Sequence, residues 1–597
     1  MATSNRQWQF WIDRGGTFTD VVARRPDGSL TTHKLLSENP ERYQDAALQA
    51  IRDALNVDTK AQIPATLIDA VKMGTTVATN ALLERKGDRT VLVITKGFHD
   101  ALRIGYQNRP HLFKRNIVLP ELLYECVIEA EERYSAQGEE LIPIDLDGLR
   151  AGLQAEFDRG IRSAAIVFMH GYRNHDHERA AASLARELGF TQVSCSHQVS
   201  PLMKLVSRGD TTVVDAYLSP ILRRYVDQMA NELGGARLMF MQSNGGLTDA
   251  KLFQGKDSIL SGPAGGIVGA VETSTRAGFS KIITFDMGGT STDVSHYAGE
   301  YERAFDTLVA GVRMRVPIMR IHTVAAGGGS ILKFDGLRYR VGPESAGANP
   351  GPACYRRGGP LTVTDCNVML GKLNPEFFPA IFGEQGEDPL DADVVRDNFL
   401  NLSQQIKDAT GDQRSPLEVA DGFLKIAVEN MANAIKKISV QRGYDVTEYT
   451  LCCFGGAGGQ HACLVADALG MKRVFLHPFA GVLSAYGMGL ADIRAMRETS
   501  IENPLTDEAL RKTDSIFVVL EQQVRDEIHQ QGIEDKYIEV QRRIHVRYQG
   551  TDSSLHVNYG NRKQVIETFE TVYRGRYGFL MPEKELIIEA LSVEAIG

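Results

Sequence analysis

The sequence predicts an α/β protein of two related lobes, followed by a small α/β unit. Residues 13–20 (DRGGTFTD) return as residues 286–293 (DMGGTSTD), with the same residue at six of the eight positions. Each copy follows an apolar, β-prone run, which predicts a strand ending in a tight turn. A chain of 597 residues also exceeds what one hydrophobic core usually supports. We therefore expect lobes at residues 1–200 and 201–492, and the small unit at residues 493–597.

The duplicated segment has the composition of a phosphate-binding loop. Its glycines let backbone N–H groups approach an anion closely, and its threonines add hydroxyl donors. The leading aspartates would face the same anion, which like charges tolerate only with a cation between them. Mg²⁺ is the natural candidate, because it prefers carboxylate, water and phosphate oxygens. The predicted catalytic and metal-binding residues are Asp13 and Asp286, and the predicted phosphate contacts are Gly15, Gly16, Thr17, Thr19, Gly288, Gly289, Thr290 and Thr292.

A plain β-turn is the alternative interpretation of this segment. Gly-Gly-Thr is common in hairpin turns, and one copy alone would not separate the two interpretations. Recurrence after two distant strands favours a pair of loops that hold one polyphosphate from both sides.

The first lobe alternates strand and helix patterns. Short β-prone runs precede helical periodicity over residues 41–55, and a strand at residues 91–95 follows the segment MGTTVATNALLERKG at residues 73–87. Residues 103–116 are polar, interrupted by proline and rich in arginine and lysine. This segment could meet an anionic or carbonyl group, and a solvated surface loop is the alternative. Residues 144–200 read as a further α/β unit.

Three further glycine-rich segments follow in the second lobe. LSGPAGGIVGA at residues 260–270 predicts a turn into a helix whose glycines allow close packing. Gly327 and Gly328 lie in a bare loop that would let backbone approach a nucleotide. The strand at residues 449–454 enters a third glycine loop before a helix, an arrangement that can contact a nucleoside. Its predicted nucleotide contacts are Gly455, Gly456, Ala457 and Gly458, with a packing turn as the alternative.

Composition and absent motifs narrow the function. A net charge of −9 without a basic stripe argues against nucleic-acid binding. Seven cysteines without a CxxC pair indicate reduced thiols. The sequence shows neither a leader pattern nor an apolar run long enough for a bilayer, so we expect a cytoplasmic protein without a membrane partner. The P-loop, dinucleotide and GxSxG signatures are absent as well. The interpretation that remains is a protein that binds Mg·ATP in a cleft between two lobes.

The paired loops resemble those of the actin, sugar-kinase and heat-shock ATPase superfamily, which has a duplicated ribonuclease H-like fold. A closer resemblance rests on DRGGTFTD, MGTTVATNALLERKG, SGPAGG, FDMGGTSTDV, AAGGGS, SAGANPGPACY, TVTDCN and FGGAGGQHAC, in this order. This series is similar to the hydantoinase/oxoprolinase family, and within it to the ATP-dependent oxoprolinases. Asn108 in QNRP is more typical of the hydantoinases.

The resemblance implies ATP-dependent opening of a cyclic amide, foremost 5-oxo-L-proline to L-glutamate, with the lactam oxygen phosphorylated before hydrolysis. It implies ATP and Mg²⁺ as cofactors. The residues expected to bind the substrate are Arg14, Thr75, Arg103 and Arg109, although each arginine could instead be a surface or structural residue.

Single-chain oxoprolinases carry a second half that resembles the hydantoinase B subunit, and this sequence lacks it. The resemblance therefore implies either a hydantoinase B-like partner or a missing C-terminal half, and we also expect an oligomer. Two alternatives stay within enzymes: a hydantoin or caprolactam amidohydrolase, and the ATP-using subunit of a ketone carboxylase. A regulatory ATP-driven switch is an alternative of another class. A sugar kinase, with Asp293 as its base, is a weaker one.

Overall fold

The computed structural model describes residues 7–16, 18–37, 39, 41–58, 61–107, 113–383 and 387–597. Strands and helices alternate along most of the chain, as the α/β prediction requires. The strands are β1 (Trp8–Arg14), β2 (Phe18–Arg24), β3 (Leu30–Leu36), β4 (Ile68–Thr75), β5 (Thr90–Thr95), β6 (Cys126–Ala130), β7 (Arg133–Tyr134), β8 (Glu140–Ile142), β9 (Ser163–Val167), β10 (Gln192–Cys195), β11 (Arg237–Met241), β12 (Leu247–Asp249), β13 (Ile282–Met287), β14 (Thr292–Tyr297), β15 (Arg303–Val309), β16 (Val312–Met319), β17 (His322–Val324), β18 (Ser330–Phe334), β19 (Tyr339–Ser345), β20 (Thr450–Phe454), β21 (Val474–Phe475), β22 (Arg494–Pro504), β23 (Glu539–Tyr548), β24 (Leu555–Asn558) and β25 (Leu586–Ile596). The helices are α1 (Ala46–Leu55), α2 (Val77–Leu83), α3 (Ala101–Ile104), α4 (Leu146–Asp158), α5 (Asp176–Glu187), α6 (Ser196–Val199), α7 (Leu205–Glu232), α8 (Ser261–Arg276), α9 (Val363–Met369), α10 (Ala392–Thr410), α11 (Pro416–Ile438), α12 (Ala462–Leu469), α13 (Leu483–Leu490), α14 (Asp507–Gln530) and α15 (Arg562–Tyr577).

Two sheets of the protein repeat the same strand order. In the first, the antiparallel strands β3-β2-β1 continue with β4 and β11, which run parallel to β1. In the second, the antiparallel strands β17-β14-β13 continue with the parallel strands β20 and β21. The register repeats too, because Asp13 pairs with Asp20 and Asp286 pairs with Asp293. The duplication predicted from the sequence is therefore present in the backbone.

The first sheet draws on residues from both sides of residue 200. Strands β11 and β12 extend it beyond β4, because β11 pairs in parallel with β4 and β12 pairs with β11. Between β4 and β11 the chain forms a separate parallel sheet in the order β10-β9-β5-β6. Strand pairing thus crosses the predicted lobe boundary at residue 200, because strands that are far apart in the sequence can still pair in one sheet.

Helices α8 and α13 pack closely against each other, and α13 also contacts β1. Glycines make this approach possible, because a Cβ added at Gly487 of α13 would lie 2.0 Å from the carbonyl oxygen of Gly265 on α8. One hydrophobic cluster includes Trp11 of the first sheet, Ile267 of α8 and Phe454 of the second sheet. The close glycine packing predicted for residues 260–270 is therefore confirmed, and α8 lies between the repeated sheets.

The last residues form a four-stranded sheet in the order β22-β25-β23-β24, accompanied by α14 and α15. The separation of residues 493–597 as a small α/β unit stays a prediction. Local boundaries differ more: the helix predicted to begin at residue 41 begins at Ala46, because Asp45 caps it by accepting hydrogen bonds from the N–H groups of Ala47 and Leu48. In the described part of the chain, none of the helices has the length and apolar character needed to cross a membrane.

Candidate nucleotide-binding and catalytic site

The two duplicated loops are tight hairpin turns of the same construction. In the first, the Gly15 N–H donates to the Phe18 carbonyl at 3.0 Å, and in the second the Gly288 N–H donates to the Ser291 carbonyl at 3.0 Å. Gly16 and Gly289 are exposed at the tips, where an added Cβ would find nothing within 4 Å. The tips therefore present bare backbone to open space, as phosphate binding requires.

The threonines of the loops divide into two groups. Thr19 is buried and its hydroxyl lies 3.0 Å from that of Ser37, which donates to the Gly15 carbonyl at 2.7 Å. Thr292 is buried and donates to the Ala326 carbonyl. These two hydroxyls brace the loops from behind, whereas Thr290 is exposed at the second tip. Thr17 lies outside the described residues. The phosphate contacts assigned to all four stay predictions.

Asp13 and Asp286 approach the same turn of α8. A Cβ added at Gly262 would lie 2.8 Å from Asp13 Oδ1. The next residue, Pro263, lines a small pocket together with Asp286 and Asp293. The first turn of α8 thus lies near the aspartates of both duplicated loops, and their convergence on one triphosphate stays a prediction.

The pKa shifts of the two aspartates also indicate that the duplicated loops lie close together. Burial, and then the charge of Asp20, raise the pKa of Asp13 to about 7, while Lys34 opposes the rise. The pKa of Asp286 is raised well above its usual value by burial, and then by the charges of Asp293, Asp13 and Asp20. The carboxylates of one lobe therefore penalise ionisation in the other. Such an arrangement is suited to a cation or to a developing positive charge.

The residues present fit a magnesium ion. Asp13 Oδ1 is buried without a hydrogen-bond partner, and the pKa of both facing aspartates is raised. In the described part of the chain, no cluster of three or more protein side chains could hold a metal by itself. Mg²⁺ typically takes one or two carboxylates and completes its shell with water and substrate phosphates. The N-terminus of the 16-residue helix α8 adds a positive dipole end for those phosphates.

The third glycine loop lies directly against the second aspartate. Gly455 has a φ of 84°, and a Cβ there would lie 2.4 Å from Asp286 Oδ1. The Ala457 N–H donates to the Met287 carbonyl at 2.9 Å, which joins this loop to the strand carrying Asp286. Gly456 is exposed with open space around it. The structure therefore brings the third loop to the second phosphate loop, and the nucleoside contact predicted for it remains a prediction.

Gly327 and Gly328 lie directly against the second duplicated loop. Both are buried, and a Cβ at Gly327 would lie 2.7 Å from the Gly289 carbonyl oxygen. The Gly328 N–H donates to the Gly288 carbonyl at 3.1 Å. These glycines support the second phosphate loop from beneath, and their predicted contact with a nucleotide stays a prediction.

Two of the predicted substrate residues, Arg14 and Thr75, are partners on the neighbouring strands β1 and β4. Arg14 lies 3.5 Å from Asp45 and stacks over Tyr225, on the face of β1 opposite Asp13. Thr75 is buried and its backbone exchanges hydrogen bonds with the Ser261 hydroxyl at the start of α8. Arg103 is exposed on α3. Arg109 and the neighbouring Asn108 lie outside the described residues. The contacts of Arg14 and Thr75 are structural ones, and the substrate roles of all four stay predictions.

Two features of the site escaped the sequence interpretation. The sequence predicts Gly262 only as a packing glycine, although its helix directly precedes the strand that enters the second loop. Lys34 carried no motif, because its approach to the first loop depends on the strand register. It forms an ion pair with Asp20 at 2.5 Å.

Two family models match the chain: the hydantoinase/oxoprolinase N-terminal region over residues 9–189 and hydantoinase/oxoprolinase over residues 208–497. The chain is also 33% identical to the caprolactamase subunit alpha of Pseudomonas jessenii, over 92% of this chain and 80% of that protein. The chain belongs to the hydantoinase/oxoprolinase family. Within this family it is 42% identical to 5-oxoprolinase 1 of Arabidopsis thaliana and 40% identical to 5-oxoprolinase of Saccharomyces cerevisiae. It covers 50% and 49% of those proteins, and so spans about half their length.

Solved structures agree with this family membership. The ATP-dependent caprolactamase of Pseudomonas jessenii superposes with a TM-score of 0.84 at 29% identity, over 99% of this chain and 87% of that one. A nucleotide-free acetone carboxylase superposes with a TM-score of 0.71 at 23% identity, over 98% of this chain and 87% of that one, and shows the same fold. The predicted α/β class and family are confirmed.

Proposed function

We propose that this family member binds Mg·ATP between its two lobes and uses it to open the ring of 5-oxo-L-proline towards L-glutamate. The observation that carries the proposal is the placement of Asp13 and Asp286, on repeated loops, near the same first turn of α8. The similarity to proteins named 5-oxoprolinase selects the substrate. The use of ATP is in keeping with the ATP-dependent caprolactamase.

The chemical need for ATP follows from the amide. Resonance makes a lactam a poor electrophile, so water attacks it slowly. In the proposed reaction the lactam oxygen attacks the γ-phosphorus, the bond to the bridging oxygen breaks with its electron pair leaving on ADP, and the ring nitrogen loses its proton. Water then adds to the activated carbon, the carbon–nitrogen bond breaks to give an acyl phosphate, and a second water releases phosphate and the carboxylate of glutamate.

The chain's own groups would act by position and charge. The N–H groups at the two loop tips and at the start of α8 would hold the phosphate oxygens. Asp13 and Asp286 would hold Mg²⁺, which when bound neutralises phosphate charge. The brace formed by Thr19 and Ser37 would keep the first loop in shape.

We propose that the hydrolytic half of this reaction requires a second polypeptide, here called the companion. The chain covers only about half of the 5-oxoprolinases, and a relative of similar length is named as subunit alpha. Four apolar side chains within residues 113–119 are exposed to solvent, among them Phe113 at 98% and Val118 at 72%. Exposed apolar segments of this kind mark protein contacts. We propose that the companion is a hydantoinase B-like half, as a separate subunit or as part of a longer chain.

The test is isotope tracing of phosphate release from γ-labelled ATP with 5-oxoproline, with and without a polypeptide equivalent to the half that the chain does not span. The proposal expects release that depends on the lactam and is coupled to glutamate formation when the companion is added. Release that the companion stimulates without regard to the lactam would instead support a regulatory ATPase.

A second candidate substrate class is a larger lactam or a hydantoin. The structural agreement with the caprolactamase favours it, at a TM-score of 0.84. The same assay with caprolactam, hydantoin and 5-oxoproline in parallel separates the two candidates, because the ring that gives the highest kcat/KM identifies the pocket's specificity.

A further inference from the structure

A row of three side chains crosses the first sheet at the level of its phosphate loop. Asp13 on β1 pairs with Asp20 on β2, and Asp20 pairs with Lys34 on β3. Residues directly opposite each other on antiparallel strands point to the same face of a sheet. Lys34 therefore shares a face with Asp13, two strand spacings or about 10 Å away, which lies within reach of a lysine side chain and a bound phosphate.

The corresponding row of the second sheet has a different third member. Asp286 pairs with Asp293, and Asp293 pairs with Thr323. The Thr323 hydroxyl donates to Asp293 Oδ1 at 2.6 Å, where Lys34 forms an ion pair in the first lobe. The two half-sites are thus equivalent in backbone and in aspartates, but only the first carries a cation at the third position. This difference assigns the lobes unequal roles.

The ammonium group of Lys34 lies beside the first phosphate loop. Its Nζ contacts Asp20 Oδ1 at 2.5 Å and lies 5.2 Å from the centre of the Phe18 ring, the residue whose carbonyl closes the loop. The Lys34 side chain is 46% exposed, so a ligand in solvent can reach it. Its positive charge also lowers the pKa of Asp13 and Asp286. Lys34 therefore acts electrostatically on both lobes from its present position.

The transferring phosphoryl group needs such a cation. Phosphoryl transfer spreads negative charge over three equatorial oxygens, and catalysis consists largely of neutralising that charge. Four carboxylates, those of Asp13, Asp20, Asp286 and Asp293, surround the site. Arg14, the cation next in sequence to the first loop, is turned away and held by Asp45. A lysine ammonium is a compact point charge well suited to phosphate.

We propose that Lys34 transfers its ammonium from Asp20 to the γ-phosphoryl group of ATP and stabilises that group during transfer. This inference rests on the proposed function for the identity of the acceptor. The bond from the acceptor oxygen to γ-phosphorus forms while the bond to the bridging oxygen breaks, with the electron pair leaving on ADP. The Lys34 ammonium only donates hydrogen bonds and transfers no proton, and its ion pair with Asp20 holds it beside the loop in the resting state.

The test compares Lys34→Met and Lys34→Arg with the wild-type chain. Lys281→Met is the matched control, because Lys281 is 48% exposed, pairs with Glu448 and precedes β13 at the end of that strand opposite Asp286. Calorimetry measures the affinity for Mg·ADP and for a non-hydrolysable Mg·ATP analogue, and labelled ATP measures phosphate release with and without lactam.

The proposal expects Lys34→Met to bind Mg·ADP within about threefold of wild type, to lose about tenfold in affinity for the ATP analogue, and to lose about 10²–10³-fold in the rate of phosphate release. Lys34→Arg should recover part of both losses, and Lys281→Met should match wild type. Equal losses for ADP and ATP, equal behaviour of the Met and Arg variants, or wild-type rates in Lys34→Met would each overturn it.

The binding comparison separates this proposal from the proposed function. If the wild-type chain releases phosphate without regard to lactams, the substrate assignment fails, yet the ATP and ADP affinities of Lys34→Met still decide the role of Lys34. If those affinities do not diverge, the role of Lys34 fails while lactam-dependent release by the wild-type chain remains intact.

Discussion

Gly455→Ala should separate the geometry of the second half-site from its chemistry. Gly455 has a φ of 84°, a conformation that costs an L-residue about 1–2 kcal/mol. The added methyl group would also lie 2.4 Å from Asp286 Oδ1 and 2.5 Å from the Met287 carbonyl oxygen. The aspartate must therefore shift. Losing one interaction with a charged group costs about 1.5–3 kcal/mol, so we expect a 10- to 100-fold loss of Mg·ATP affinity.

Gly443→Ala is the matched control, because Gly443 has the same φ of 84° but a Cβ there meets nothing within 4 Å. Calorimetric titration of both variants with a Mg·ATP analogue is the assay, and melting temperatures show whether each variant is folded. Equal affinities in Gly455→Ala and Gly443→Ala would refute the claim that the third loop fixes the position of Asp286.

Three further predictions follow from the same contacts. The raised pKa of Asp13, about 7, means that the folded chain holds this proton more tightly than the unfolded chain, so stability is lost as pH rises from about 4 through 7. Without metal, Asp13→Asn should therefore raise the melting temperature by about 3 °C at pH 8 but by only about 1 °C at pH 5, and an equal gain at both values would contradict this. Removing divalent cations with a chelator should weaken ATP binding at least tenfold, and more at pH 8 than at pH 6, because the ionised aspartates then face the phosphates directly. Calorimetric measurements that show pH-independent binding would contradict this prediction. Gly487→Ala should lower the melting temperature by several degrees, because its methyl group would lie 2.0 Å from the Gly265 carbonyl oxygen. Gly481→Ala, which has open space around the added methyl group, should not lower it. Similar melting temperatures in the two variants would count against close packing of α8 and α13.

The repeated half of the architecture could be predicted because it is written as a local pattern. Six identities in two distant segments specify two strand–turn–strand units, and the strand register of Asp13 with Asp20 and of Asp286 with Asp293 reproduces them. The glycine spacing in residues 260–270 likewise predicted close packing, because glycines lack the side chains that would hold two helices apart. The glycine at residue 455 was also identified, although as a nucleoside contact and not as the neighbour of Asp286.

Features set by long-range pairing could not be predicted from the pattern. Strand β11 joins the first sheet by pairing with β4, which lies more than 150 residues earlier in the chain, and β12 then pairs with β11. Local periodicity does not indicate such long-range pairing. Lys34 reaches the loop only because β3 pairs in one particular register with β2. Arg14 follows Asp13 directly and looked like a ligand-binding cation, but alternation along β1 turns it to the opposite face, towards Asp45.

A titration of the chain with a Mg·ATP analogue tests the central claim most directly, when it is repeated for Asp13→Asn and Asp286→Asn. Two half-sites that share one metal-bound triphosphate predict a stoichiometry of one nucleotide per chain. They also predict a loss of about a hundredfold or more in affinity from either substitution, because each removes one of the two carboxylates placed for the metal. Binding of two nucleotides per chain, or wild-type affinity in either variant, would contradict the account.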